Sequence, residues 1–135
     1  MKRLGFRFRI ADCWRLTIGL TVIAAVGCNR SQENTPIEVV MNDQTIAAGR
    51  QLYLSNCAMC HGERGDGNGV VSKMLNPKPR DHTDKKYMET LSNERLFSII
   101  KNGGVVIGMP TMPANPHLRD EEIKNLIAFI RSIEK

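Results

Sequence analysis

The sequence predicts an all-α fold with about three main helices, and three observations carry that prediction. Apolar residues recur at helical spacing in three runs between Gln44 and Ile133. Residues suited to helix caps stand at the starts of those runs. No strand is visible before the one close pair of cysteines. The helical region spans about 90 residues, near the size at which a protein core alone is marginally stable.

The first 27 residues stand apart from that region. Lys2, Arg3, Arg7, Arg9 and Arg15 against Asp12 give a net +4 of the chain's +5, and an apolar stretch runs from Leu16 to Val26. A positive region, a short apolar run and a small-residue end are the parts of an export signal. The run is too short for the roughly 20 residues a helix needs to cross a bilayer core. Ala25-Val26-Gly27-Cys28 then resembles a bacterial lipobox, whose cysteine is lipid-modified and becomes the first mature residue, with alanine where that motif usually has leucine. An uncleaved short anchor, or an ordinary signal peptide with an incidental Cys28, are the alternatives. On the lipid reading residues 28–42 form a polar tether, with a reach under roughly 50 Å when extended. The folded domain is then 43–135, held by its lipid on the periplasmic side of a bacterial membrane. The 108 residues after the signal hold 14 Lys/Arg and 13 Asp/Glu, so no basic patch argues for nucleic acid and no strong charge steering of partners is expected.

The first helix is expected over Gln44 to Ser55, with Asp43 as its N-cap and Ile46, Gly49, Leu52 and Tyr53 near one face. It delivers the chain into Cys57-Ala-Met-Cys60-His61. Of the four cysteines, Cys13 falls in the signal and Cys28 is the lipid site, so Cys57 and Cys60 remain in the domain. Thiols that close cannot staple distant parts of a fold. They can each form a thioether to one porphyrin, while the histidine directly after the second places its imidazole under the iron. A thioredoxin-like pair would need a preceding strand and a parallel sheet. A zinc site would need two further ligands nearby, and the domain offers only His82 and His117, far apart in sequence. One covalent haem c, with His61 on its iron, is the better reading in an exported chain. Buried among the helices, it would supply the apolar mass that so short a domain lacks.

Gly62 to Gly69 hold four glycines in eight residues, a turn-rich loop without the Gly-Lys-Ser/Thr ending of a phosphate cradle. Such a loop either lies against a porphyrin edge or is solvated surface. In "LNPKPRD", Pro77 and Pro79 force extended backbone at Asn76 and Lys78. The segment is either an ordinary rigid loop or a wall of the haem pocket, one of whose carbonyls accepts a hydrogen bond from the back nitrogen of His61 and fixes its tautomer. The second helix starts at the N-cap Ser92, with Leu91 placed to pack on Leu96, and stops at Asn102-Gly103; Leu96, Phe97 and Ile100 face inward. The third follows Asp120, with Ile123, Leu126, Ile127 and Ile130 at i, i+3, i+4 and i+7, acidic residues in its first turn, and Lys124 and Arg131 on its outer side.

Taken in order, these features resemble the class I c-type cytochromes, single-haem electron-transfer proteins, over Gln44 to Ile133. Gly49 and Tyr53 stand eight and four residues before Cys57, as in that family's first helix, and Phe129 stands where its last helix carries an aromatic partner. "CAMCHG" matches the attachment motif, "KNGG" the close of the middle helix, and "MPAN" followed by "LRDEEI" the ligand loop leading into the final helix. "NPKPRDHTD" resembles a subgroup with proline-rich loops, with His82 at its usual aromatic position. The resemblance implies a methionine thioether as the second axial ligand, and both Met109 and Met112 precede a proline. The family's ligand is followed by Pro-Ala, as Met112 is, and stands six or seven residues before the leucine that opens the last helix. Leu118 is six residues from Met112 and nine from Met109. Met112 is the expected ligand, and Met109 the alternative or a second apolar wall.

His/Met ligation would leave no vacant position on the iron. The expected function is therefore one-electron transfer between redox protein partners, with no catalysis of its own. Two other readings stand beside it. One is a haem-containing subunit of a larger oxidoreductase, or a ligand-binding haem protein with an open sixth site. The other is a zinc-binding or tethering lipoprotein without haem.

Overall fold

The computed structural model describes residues 36–135; the expected signal segment, Cys28 and the first part of the expected tether lie outside the described residues. Five α-helices follow in order: α1 (Asp43–Asn56), α2 (Ala58–His61), α3 (Lys85–Met88), α4 (Asn93–Asn102) and α5 (Asp120–Ser132). Two 3-10 turns, Ser72–Met74 and Gly104–Ile107, sit in the connections. The described residues contain no strand, and among them no helix is long and apolar enough to cross a membrane.

The long helices begin where side chains can satisfy their free amides. At α1 the cap is Asn42, one residue earlier than expected. Its Oδ1 accepts from Thr45 N at 2.9 Å, while Thr45 Oγ1 accepts from Asn42 N at 3.1 Å. That reciprocal pair outcompetes Asp43, which becomes the first helical residue and sets its charge against the positive end of the helix dipole. At α4, Ser92 Oγ accepts from Arg95 N at 3.2 Å, and the helix ends at Gly103. At α5, the Glu122 carboxylate reaches back to accept from Arg119 N at 2.8 Å.

The main crossing is α1 on α5. Gly49 makes it possible, because a Cβ there would run into the carbonyl of Asn125 and lie 3.0 Å from the Cβ of Phe129. One turn later Tyr53, fully buried, lies 5.0 Å from the Phe129 ring between centroids. Ile123, Leu126, Ile127 and Ile130 on α5 complete this core with Met88, Leu96, Ile100 and Leu118.

Arg131 was expected on the outer side of α5, yet its side chain is only 19% exposed. Its guanidinium donates to Met88 O at 3.0 Å, to Leu91 O, to Asn93 Oδ1 at 3.2 Å and to Glu134 Oε1 at 2.8 Å. The planar fork binds carbonyls at and just after the end of α3 and ties them to α5. Before α1, Ile37 N donates to Glu94 Oε1 at 2.7 Å and Val39 packs on the core, so the last residues of the expected tether lie against the domain.

Candidate functional site

Helix α1 ends by handing its chain to a single turn. Cys57 N donates to Tyr53 O at 2.8 Å, and His61 N donates to Cys57 O at 2.9 Å. With i, i+3 and i+4 spacing, that turn brings Cys57, Cys60 and His61 to one side. All three line one cleft that is partly open to solvent. The two cysteines are not joined to each other as a disulfide. Burial, and then the neighbouring Cys60, push the Cys57 thiol up to about 12.

His61 Nδ1–H donates to Arg80 O at 2.9 Å, and Arg80 directly follows Pro79 in the proline segment. The bond fixes the tautomer and leaves the Nε2 lone pair as the free donor of the ring. Burial lowers the pKa of His61 and the Arg80 carbonyl opposes that shift; the net direction keeps the ring neutral, as a metal ligand must be. Pro77 and Pro79 both line the cleft, and the Asn76–Pro77 peptide bond is cis.

The glycine-rich loop is neither cleft wall nor plain solvated surface. None of residues 62–69 lines the cleft, and Gly62, Gly65, Gly67 and Gly69 are buried. At Gly67, with φ +71°, a Cβ would lie 2.7 Å from Pro79 O. Gly67 N donates to His61 O at 2.8 Å, and His82 N donates to Gly65 O at 2.7 Å. The loop thus clamps the cysteine turn to the proline segment and sets the Arg80 carbonyl beside His61.

On the far side of α4, Met109 and Met112 both line the cleft and both are half-buried. Gly104 N donates to Met112 O at 3.0 Å, and Met109 N donates to Gly104 O at 2.8 Å. Asn115 Nδ2 fastens the loop's end by donating to Ile100 O at 3.0 Å. The rest of the cleft is mostly apolar, from Leu75, Leu91, Leu96, Ile99 and Ile107, with Lys78 and Arg80 as its cationic side chains.

One contributor was not given a role from the sequence. His82 stacks on His61, ring centroids 4.2 Å apart and planes 18° from parallel, and its Nδ1 is hydrogen-bonded to Tyr53 Oη at 3.1 Å. Burial, then the charges of His61 and Arg80, push the His82 pKa down to about 3. Burial raises that of Tyr53, so its hydroxyl keeps its proton. A histidine replacing an aromatic after Arg80-Asp81 was the available signal. His117 is exposed and does not line the cleft. Among the described residues no group of three or more His, Cys, Asp or Glu side chains is gathered to hold a metal ion.

Residues 44–130 match the family described as cytochrome c oxidase, cbb3-type, subunit III. A quinohemoprotein alcohol dehydrogenase of Comamonas testosteroni is 31% identical over 87 residues, 64% of this chain and 11% of that protein. The cbb3-type cytochrome c oxidase subunit CcoP of Rubrivivax gelatinosus is 28% identical over 99 residues, 73% of this chain and 29% of that protein. The chain thus spans less than a third of the length of these curated relatives. Among solved structures, a chain of the Kuenenia stuttgartiensis reducing HAO-like protein complex shares the fold at TM-score 0.53 and 23% identity, covering 72% of this chain and 44% of that one. The donor set fits haem c: two thiols and a tautomer-fixed imidazole face a mostly apolar cleft. The chain belongs to the cbb3-type subunit III family, and its described helical region is a cytochrome c domain, a carrier of electrons on haem.

Proposed function

We propose that the chain transfers one electron at a time on a single covalently bound haem c, with His61 and Met112 as axial ligands, while anchored at a membrane surface through Cys28. The observation that supports this most directly is the convergence of Cys57, Cys60, His61 and the Met109/Met112 loop on one cleft. When bound, haem c supplies reversible one-electron chemistry at its iron. Cys57 and Cys60 hold it as thioethers, and His61 offers Nε2 because Arg80 O occupies Nδ1–H. Met112 would supply the second protein ligand, and a haem held on both sides would offer no vacancy for oxygen or substrate. Pro77 and Pro79 wall the pocket. Leu96, Ile99 and Ile100 keep water out, and low polarity around the group tunes its potential. Lys78 and Arg80, the cationic side chains of the cleft, would offer positive charge to its carboxylates.

A second reading, service as one subunit of a larger oxidoreductase, is favoured by the relatives, in which the matching region is a minor part of a longer protein. Donor and acceptor are then redox proteins docked close to the haem. Localisation is periplasmic, through the export signal and Cys28.

The test is an optical spectrum of full-length protein matured in a haem-attaching periplasm, with and without carbon monoxide. Expected are one haem per chain that survives denaturation, a sulfur–iron band when oxidised, and no fast carbon monoxide binding when reduced. Rapid binding would establish the open-site reading. Covalent haem unchanged in Cys57→Ala would overturn the attachment.

A further inference from the structure

We propose that His82 is a positioning residue that fixes the ring plane of His61, and through it the electronic state of the haem iron; this rests on the haem reading above. A hydrogen bond along the His61 Nδ1–H direction to Arg80 O restrains one edge of the ring but leaves it free to rock about that line. A flat neighbour on the ring face removes the remaining freedom. His82 is that neighbour, at 4.2 Å and 18°.

His82 is itself held. Its Nδ1 is hydrogen-bonded to Tyr53 Oη at 3.1 Å, and its backbone N donates to Gly65 O at 2.7 Å. Tyr53 in turn is fully buried, tilted against Phe129 at the α1/α5 crossing. A continuous set of contacts therefore runs from that crossing through Tyr53 and His82 to the face of His61. A phenylalanine at position 82 could supply the flat face but not the bond that sets its angle, so histidine adds orientation to packing.

The orientation of an axial imidazole governs how unpaired spin is spread over the porphyrin of an oxidised haem, and the spread of hyperfine-shifted haem methyl resonances reads it directly. Full-length wild type, His82→Ala, His82→Phe and Tyr53→Phe are matured in the same periplasm, and haem content is measured first. Expected are a changed methyl spread in His82→Ala, a smaller change in the same direction in Tyr53→Phe, and an intermediate one in His82→Phe, all at wild-type haem content. A wild-type spread in His82→Ala overturns the proposal. Should that variant fail to load haem, an unchanged spread in the conservative Tyr53→Phe overturns it instead. A wild type without covalent haem removes the haem reading and this proposal with it, whereas loaded haem with unmoved resonances removes the proposal alone.

Discussion

Met109 and Met112 reach the same cleft from one loop with similar burial, so access does not separate them. Backbone bonds do not separate them either, since Met109 N donates to Gly104 O at 2.8 Å and Gly104 N to Met112 O at 3.0 Å. The preference for Met112 rests on its Pro113-Ala114 and on its place six residues before Leu118. Met112→Ala is expected to abolish the sulfur–iron band, lower the reduction potential and open the iron to carbon monoxide, while Met109→Ala leaves the band in place. Loss of the band in the Met109 variant alone would reverse the assignment. Cys57, Cys60 and His61 could be read directly from the sequence because one helical turn gathers them and no distant contact is needed. The sequence also offered a carbonyl of the proline segment to the back nitrogen of His61, and Arg80 O takes that place. The stacking of His82 could not be read, because it depends on how the proline segment folds back over the glycine loop.

At the scale of elements, the site hangs on the α1/α5 crossing, since α1 carries Tyr53 and runs straight into the cysteine turn. Gly49 has backbone against it, and backbone cannot yield as a flexible side chain can. Gly49→Leu is expected to destabilise the haem-loaded protein by at least about 1–3 kcal/mol, the usual cost of overpacking. Urea unfolding followed at the haem band would show a lower midpoint with unchanged slope; an unchanged midpoint would mean that the two helices are not packed this closely. The three long helices were legible because their apolar positions repeat at the helical period and their caps are local. Short α3 and the two 3-10 turns were not, for each is about one turn long and set by tertiary contacts. Arg131 misled for a similar reason: a charged residue at an outward-looking register is buried by carbonyls that two other segments bring to it.

For the whole molecule, the contact of Ile37 with Glu94 shortens the proposed tether. Hydrogen bonds from Ser92 and from backbone amides, including that of Ile37, lower the Glu94 pKa and keep its carboxylate ionised as an acceptor at neutral pH. With Ile37 held, eight residues lie between it and Cys28, a span of nine backbone steps with a reach of about 30 Å where the unpinned tether would reach roughly 50 Å. A lipid on Cys28 would therefore keep the haem cleft near the membrane surface, in range of membrane-bound redox partners and away from freely diffusing ones. The near-neutral domain suits that arrangement, because proximity then replaces electrostatic steering in raising encounter rates. Cys28→Ser with the rest of the chain intact is expected to move the protein from the membrane fraction to the soluble periplasmic fraction, with haem content unchanged. Wild type recovered in the soluble fraction would remove the anchor altogether. A Cys28→Ser chain that stays with the membrane would assign the anchoring to an uncleaved Leu16 to Val26 stretch, and the haem would then be held by peptide in place of lipid.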